Sequence, residues 1–174
     1  MSEPASGTDI TFDDILAMSE ELSAPGGGQG PAADDVNSRI IAEFRGNAGR
    51  IAGDVGVDND LVIVTVKGAK SGKDRIIPLV YFDVDGRIVI IASMAGAAKH
   101  PTWYINMRAN PAVTVEIGAD TFAADAVEIT GADRDTVFAT VCERNPVFQQ
   151  YQDKTERKIP VVELVHHDWP TTAE

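Results

Sequence analysis

The sequence predicts an α+β fold in which a mainly antiparallel, closed or nearly closed barrel carries peripheral helices. Three observations predict it. Strand signals come in hairpin pairs, with Asp85-Gly86 inside one pair and Gly118-Ala119-Asp120 inside another. Helical patterns fill the gaps between strand groups instead of alternating with single strands, which is not the order of a parallel βαβ sheet. The length of 174 residues corresponds to one domain on a prior of about 150 residues per domain.

The elements follow in order. Residues 11–22 put Phe12, Ile15 and Leu16 on one stripe behind Thr11, a suitable N-cap, and predict a short amphipathic helix. Residues 24–31 contain four glycines and two prolines and read as a linker. Residues 1–33 are therefore expected to be an acidic arm, and 34–174 the barrel domain. A helix from Asp34 or Asp35, with Val36, Ile40, Ile41 and Phe44 as its apolar positions, should end among Gly46 to Gly49. Strands are expected at 61–66, 76–83 and 87–92, rich in β-branched residues. Pro101 should open a short helix that ends before Pro111. Strands at 113–117 and 122–129 form the second hairpin. A helix over 133–144 follows, with Val137, Phe138 and Val141 as its stripe, and a shorter one starts at Pro146 and carries Phe148 and Tyr151. Residues 159–165 close the domain as an apolar strand.

Composition excludes several classes. Hydrophobic residues are 44% and charged residues 24% of the chain, as in ordinary globular domains. The longest apolar run, 88–98, is broken by Ser93 and Gly96 and is shorter than the roughly 18 residues of a spanning helix. The first residues, Met1-Ser2-Glu3-Pro4, lack the charge and apolar core of a secretory leader, so a cytoplasmic protein is expected. The net charge is -12, with eight of the acids and no Lys or Arg in residues 1–38. That acidic stretch would be repelled by an anionic leaflet, and the chain offers no broad basic face for nucleic acid. One cysteine, Cys142, cannot form an internal disulfide and lies in an apolar stripe without a base. His166-His167-Asp168 has no partner at metal-ligand spacing, so no metal site is expected.

Two segments carry anion-binding character. Residues 68–75, Gly-Ala-Lys-Ser-Gly-Lys-Asp-Arg, sit between two strands and offer cations, a hydroxyl and two glycines able to form a nest of backbone donors. The spacing is one residue short of a Walker A loop, and Asp74 stands where magnesium would need a hydroxyl. An ordinary solvated hairpin is the competing reading. Residues 97–106 begin a helix just after Lys99 and present its N–H groups to an anion. Trp103 there either covers a planar ring or packs with Met107 on the barrel.

The ordered set Lys70-Ser71-Gly72-Lys73-x-Arg75-x-x-Pro78-Leu79, Ala92-Ser93, Gly96-Ala97-x-Lys99-His100-Pro101-x-Trp103-Tyr104-x-Asn106, Ala109-Asn110-Pro111 and Tyr151-Gln152-x-Lys154-Thr155-x-Arg157-x-Ile159-Pro160 resembles the deazaflavin-dependent nitroreductase and quinone reductase family over about residues 36–165. The resemblance implies a split β-barrel of the FMN-binding type and use of reduced coenzyme F420. It also implies hydride transfer to a quinone, nitroaromatic or activated enone or lactone acceptor. Carried over by position, Lys70, Ser71 and Arg75 would hold the coenzyme's phosphate and acidic tail. Pro78, Ser93, Lys99, His100 and Trp103 would line its ring and linker. Tyr151 and Ser93 are the hydroxyls expected to meet charge on the acceptor oxygen. The chain departs from the pattern at Ala69 and Met94, where many relatives have Arg and Lys, and at Val80, Asn145 and Phe148, where the nitroreductase has tyrosines. FMN or FAD in the same barrel, and a carrier that binds the deazaflavin without turnover, are the alternatives. A homodimer and a small-molecule acceptor are the partners implied.

Overall fold

The computed structural model describes residues 31–49 and 60–166. The expected helix at 11–22, most of the linker, His167 and Asp168 lie outside the described residues. The elements are α1 (Pro31–Gly46), β1 (Asp60–Lys67), β2 (Asp74–Val84), β3 (Arg87–Ile91), a 3₁₀ turn (Met94–Gly96), α2 (Thr102–Ala109), β4 (Ala112–Ile117), β5 (Asp120–Ile129), α3 (Gly131–Arg144), α4 (Val147–Asp153) and β6 (Val161–His166). Helix α1 starts at Pro31, earlier than the expected Asp34. Residues 31–33, assigned by composition to the arm, are its first turn, because proline at the first helical position sacrifices no intrahelical bond. Pro101 and Pro146 instead occupy the N-cap positions of α2 and α4.

The six strands form one closed barrel in the order β1-β2-β3-β6-β5-β4, every neighbouring pair antiparallel. The β2–β3 turn has φ of +54° at Asp85 and +82° at Gly86, the left-handed pair that matches the twist of a two-residue hairpin. Asp83 fastens it, its Oδ1 accepting the Gly86 N–H at 2.8 Å.

Strand alternation divides the apolar side chains into two clusters. Val62, Val64, Val66, Ile88, Ile90, Val113, Val115, Val162 and Leu164 point inward, and α2 seals that interior with Trp103, Tyr104 and Met107. The opposite parity, Phe82, Val84, Val89, Ile129 and Val161, lies outside and is covered by Val137, Phe138 and Val141 of α3 and Phe148 and Tyr151 of α4. Burial of each such Val, Ile or Phe contributes about 1.5–3 kcal/mol, and the outer side stays in water only where α3 and α4 do not reach, as at Thr114 and Val127. Arg134 is also buried on α3. Its guanidinium donates to Ile159 O at 2.7 and 3.2 Å and to Gln152 Oε1 at 3.1 Å, and lies 4.2 Å from the centroid of the Phe138 ring.

Register fixes which loops share an end. Lys67 pairs with Asp74, Ile91 with Val161, and Thr65 with Thr114. The β1–β2 hairpin, the segment after β3, helix α2, the end of β5 and the approach to β6 therefore all gather at one barrel end. The β2–β3 and β4–β5 turns mark the other, where α1 is fastened by an Arg45–Glu116 ion pair at 2.8 Å.

At that second end Gly49, with φ +83°, lies so close to Gly118 that an added Cβ would sit 2.3 Å from its Cα. Gly49→Ala should cost about 2 kcal/mol or more, read as a lower melting temperature. Gly46→Ala, whose Cβ meets nothing within 4 Å, should not. Equal melting temperatures for the two variants would contradict the close approach.

Candidate functional site

The two anion-type segments found in the sequence meet at the crowded barrel end. Asn106, buried on α2, accepts the Ala69 N–H at 2.9 Å through Oδ1, and Asn110 Nδ2 donates to Lys67 O at 3.4 Å. The hairpin is thereby docked on the helix that follows residues 92–101.

The expected nest of free backbone donors is largely consumed within the hairpin and its dock. Gly68 N–H donates to Lys73 O, Gly72 N–H to Gly68 O, Ala69 N–H to Asn106 and Lys73 N–H to Ser71 Oγ at 3.2 Å. A short loop satisfies its own polar backbone wherever geometry allows. Anion-binding capacity passes to side chains. Lys70, Ser71, Lys73 and Arg75 are all exposed, and Ser71, while accepting at Oγ, keeps its own O–H to donate. Lys67 is held at 3.5 Å by Asp74.

Residues 92–100 form the second wall. Ser93 and Met94 are buried, Lys99 is exposed and His100 is half-buried. Met94 sits at φ +48° and Gly96 at φ +83°, so the backbone here is strained at a non-glycine position. Arg157 bridges the two ends of the loop. Its Nε donates to Ala97 O at 2.8 Å, Nη1 to Ala92 O at 3.2 Å, and Nη2 to Ser93 O at 2.8 Å, while Nη1 also faces His100 Nδ1 at 3.2 Å. Gln152 supports this arrangement by donating to Arg157 O at 2.8 Å. Burial lowers the pKa of the Arg157 guanidinium from its ordinary value, yet it stays charged at any physiological pH.

The His100 ring lies 4.8 Å from that of Tyr104, whose hydroxyl donates to Glu128 at 2.8 Å. Burial, followed by the Glu128 bond, raises the Tyr104 phenol above its usual range. Burial, followed by the Arg157 charge, lowers the His100 pKa.

The remaining predicted residues are spread more widely. Pro78 is buried in β2, in register with Ile63 on the outer parity of the barrel, whereas Trp103 packs in the inner cluster. These two do not share one surface, and Trp103 packs in the buried cluster that also holds Met107. Tyr151 is 6% exposed, edge-on to Phe148 at 5.8 Å, within the apolar cluster between α4 and the barrel. Its helix adjoins the loop: a Cβ on Gly96 would fall 2.7 Å from Tyr151 O. Asn106, Arg157 and Arg134 are the residues that sequence reasoning left without roles. All three act through hydrogen bonds to residues far away in the chain. Cys142 is half-buried, and burial pushes its thiol pKa up, as suits a structural cysteine. Among the described residues no cluster of metal-ligating side chains occurs, and no helix is long and apolar enough to cross a membrane.

The family profile described as F420H2-dependent quinone reductase matches residues 37–166. An F420H2-dependent quinone reductase of Mycobacterium tuberculosis is 32% identical over 126 residues, 71% of this chain and 85% of the relative. Among solved structures, an F420-H2 dependent reductase is 38% identical with a TM-score of 0.55, covering 63% of this chain and 99% of its own. A chain described as a domain-swapped dimer is 32% identical with a TM-score of 0.58, covering 76% of this chain and 98% of its own. With its closed six-stranded barrel and the motifs gathered at one end of it, the chain belongs to the F420H2-dependent quinone reductase family.

Proposed function

We propose that this protein transfers hydride from reduced coenzyme F420 to a quinone, nitroaromatic or activated enone or lactone acceptor. The observation that carries the reading is the docking of the cationic hairpin on α2 through Asn106, beside residues 92–100. The donor set fits an anionic coenzyme tail. Lys70, Ser71 and Arg75 would hold its phosphate and acidic groups by charge-assisted bonds, with Lys73 on the same exposed hairpin. Ser93, Lys99 and His100 would meet the ring and linker along the second wall, with Trp103 backing that end from the barrel interior and Pro78 from the outer parity of β2.

When bound, the reduced deazaflavin supplies the hydride. The protein's share is orientation and exclusion of water. The Asn106 bond sets the distance between hairpin and loop, and the packed interior beneath Trp103, Tyr104 and Met107 gives that arrangement a rigid base. Ser93 lies on the loop itself and Tyr151 on the helix packed against it, so both hydroxyls are proposed to serve the acceptor side. The proposal includes a cytoplasmic setting, supported by the acidic first 38 residues that an anionic leaflet repels. It also includes a homodimer, as in the domain-swapped relative, and light scattering of a monomer at micromolar concentration would remove that part.

Fluorescence titration with the deazaflavin coenzyme, alongside FMN, tests the reading. Lys70→Ala and Arg75→Ala should each weaken deazaflavin binding about tenfold or more, the range of a charged hydrogen bond. Preference for FMN would sink the choice of coenzyme. Tight deazaflavin binding without turnover of any quinone, nitro compound or enone would favour a carrier instead. Asn106→Ala should weaken deazaflavin binding about fivefold, the equivalent of one ordinary hydrogen bond, by freeing the hairpin from α2. An unchanged affinity in that variant would mean the dock does not set the site.

A further inference from the structure

Arg157 is the half-buried cation of this barrel end, and among the described residues no carboxylate pairs with it. Its guanidinium is solvated by carbonyl dipoles, those of Ala92, Ser93 and Ala97 at 2.8–3.2 Å. Those three carbonyls bracket the strained turn at Met94 and Gly96. A planar fork satisfying three carbonyls at once fixes a loop in one shape, which a flexible ammonium cannot reproduce.

The fourth contact has a chemical consequence. A guanidinium only donates, so His100 Nδ1, 3.2 Å from Arg157 Nη1, must present its lone pair. The ring is then neutral with its proton on Nε2. Protonating Nδ1 would set two donors and two positive charges against each other. Nε2 has no hydrogen-bond partner among the described residues, and no buried side-chain polar atom there is left without one. Nε2 is therefore reached from outside. The charged and titratable groups around the ring are Arg157 from the approach to β6, Tyr104 and Arg108 from α2, and Glu128 from β5. Burial and the two arginines favour the neutral ring, and only Glu128 opposes them.

We propose that Arg157 is a positioning residue that holds His100 as the neutral Nε2–H tautomer, making it an uncharged hydrogen-bond donor for the carbonyl oxygen of the hydride acceptor. This rests on the functional reading above. As the acceptor carbon gains hydride, negative charge grows on its oxygen, and a donor already fixed in place stabilises that charge without reorganising. His100 keeps its proton throughout, and the proton that completes the reduced product comes from solvent.

The test begins with the wild-type protein without coenzyme. Long-range proton–nitrogen spectra, with His100 assigned by its loss in His100→Gln, should show Nδ1 unprotonated and Nε2 protonated. The ring should titrate below the ordinary value of about 6.5. A neutral ring held in the fold stabilises the protein above that value, and the stability is lost as pH falls through it toward the lower folded value. His100→Gln should flatten that decline. Arg157→Gln should raise the His100 midpoint and mix the tautomers. Arg157→Lys, retaining charge without the fork, should keep the midpoint low but mix the tautomers. In quinone reduction at saturating coenzyme, His100→Ala, which has no donor to replace Nε2–H, and Arg157→Gln should each lower kcat by roughly 10- to 100-fold, a larger change than either makes in coenzyme affinity. The double variant should lose no more than the worse single one, since both remove one interaction. A wild-type spectrum with the proton on Nδ1, or a His100 midpoint indifferent to Arg157→Gln, overturns the positioning claim even if that variant folds poorly. Full kcat in a folded His100→Ala overturns the donor role. Failure of the wild type to bind deazaflavin would instead overturn the functional reading, while the histidine spectrum still judges the tautomer separately.

Discussion

Closure of the sheet is the constraint on which the rest depends. Strand β1 bonds to β2 along its whole length and to β4 through residues 63–65, so the barrel has no free edge and every strand has a fixed inside and outside. The inside is narrow enough to be filled by one residue in two from each strand plus a single short helix, α2. Because α2 must plug the barrel, its first turn and the segment leading to it are fixed at the end where the β1–β2 hairpin turns. The proximity of hairpin and loop thus follows from how the core is filled, and Asn106 needs only to secure what packing has already brought near.

Cations divide by their partners. Arg45 with Glu116, and Arg87 with both Asp133 and Glu163 at 2.9–3.1 Å, join elements to one another. The two carboxylates raise the Arg87 pKa further above its already high value. Lys70, Lys73 and Lys99 form no ion pair among the described residues and stand exposed at the crowded end. An acidic chain that keeps these three lysines together without ion pairs at one barrel end has concentrated positive potential where an anionic ligand would enter.

The barrel was legible in the sequence because its signals are local. The β-branched apolar run at 61–66 marks a buried strand, from which the closed sheet selects Val62, Val64 and Val66 as the inward set, and Asp85-Gly86 announces its own turn, borne out by two positive φ angles. Helix starts were less exact, since proline suits both the N-cap and the first helical position, neither of which needs its N–H. The site was legible only as two segments. What joins them is carried by polar side chains reaching far along the chain, Asn106 to residue 69 and Arg157 to residues 92–100, and no periodicity announces such bonds. Arg134 shows the same limit, lying buried on a helix whose stripe reads as Val137, Phe138 and Val141. The glycine-rich hairpin suggested the opposite error: composition advertises free N–H groups, but Ser71 Oγ and Lys73 O accept two of them internally.

The 92–100 loop shows how a strained segment is kept. Met94 in the left-handed region costs on the order of 1 kcal/mol, and such a residue persists only if its neighbours over-determine it. Two of them do. Gly96, lacking a Cβ, lets the end of α4 approach to where Tyr151 O and Lys154 lie, so the loop cannot move outward without opening the α4 packing. Arg157 gathers the carbonyls on either side of the turn, so the loop cannot extend without leaving a half-buried guanidinium short of acceptors, at about 1–3 kcal/mol. Removing either restraint leaves the other working against a strained turn. The loop is therefore held more rigidly than its length implies, as its proposed place in a wall that aligns reactants for hydride transfer requires.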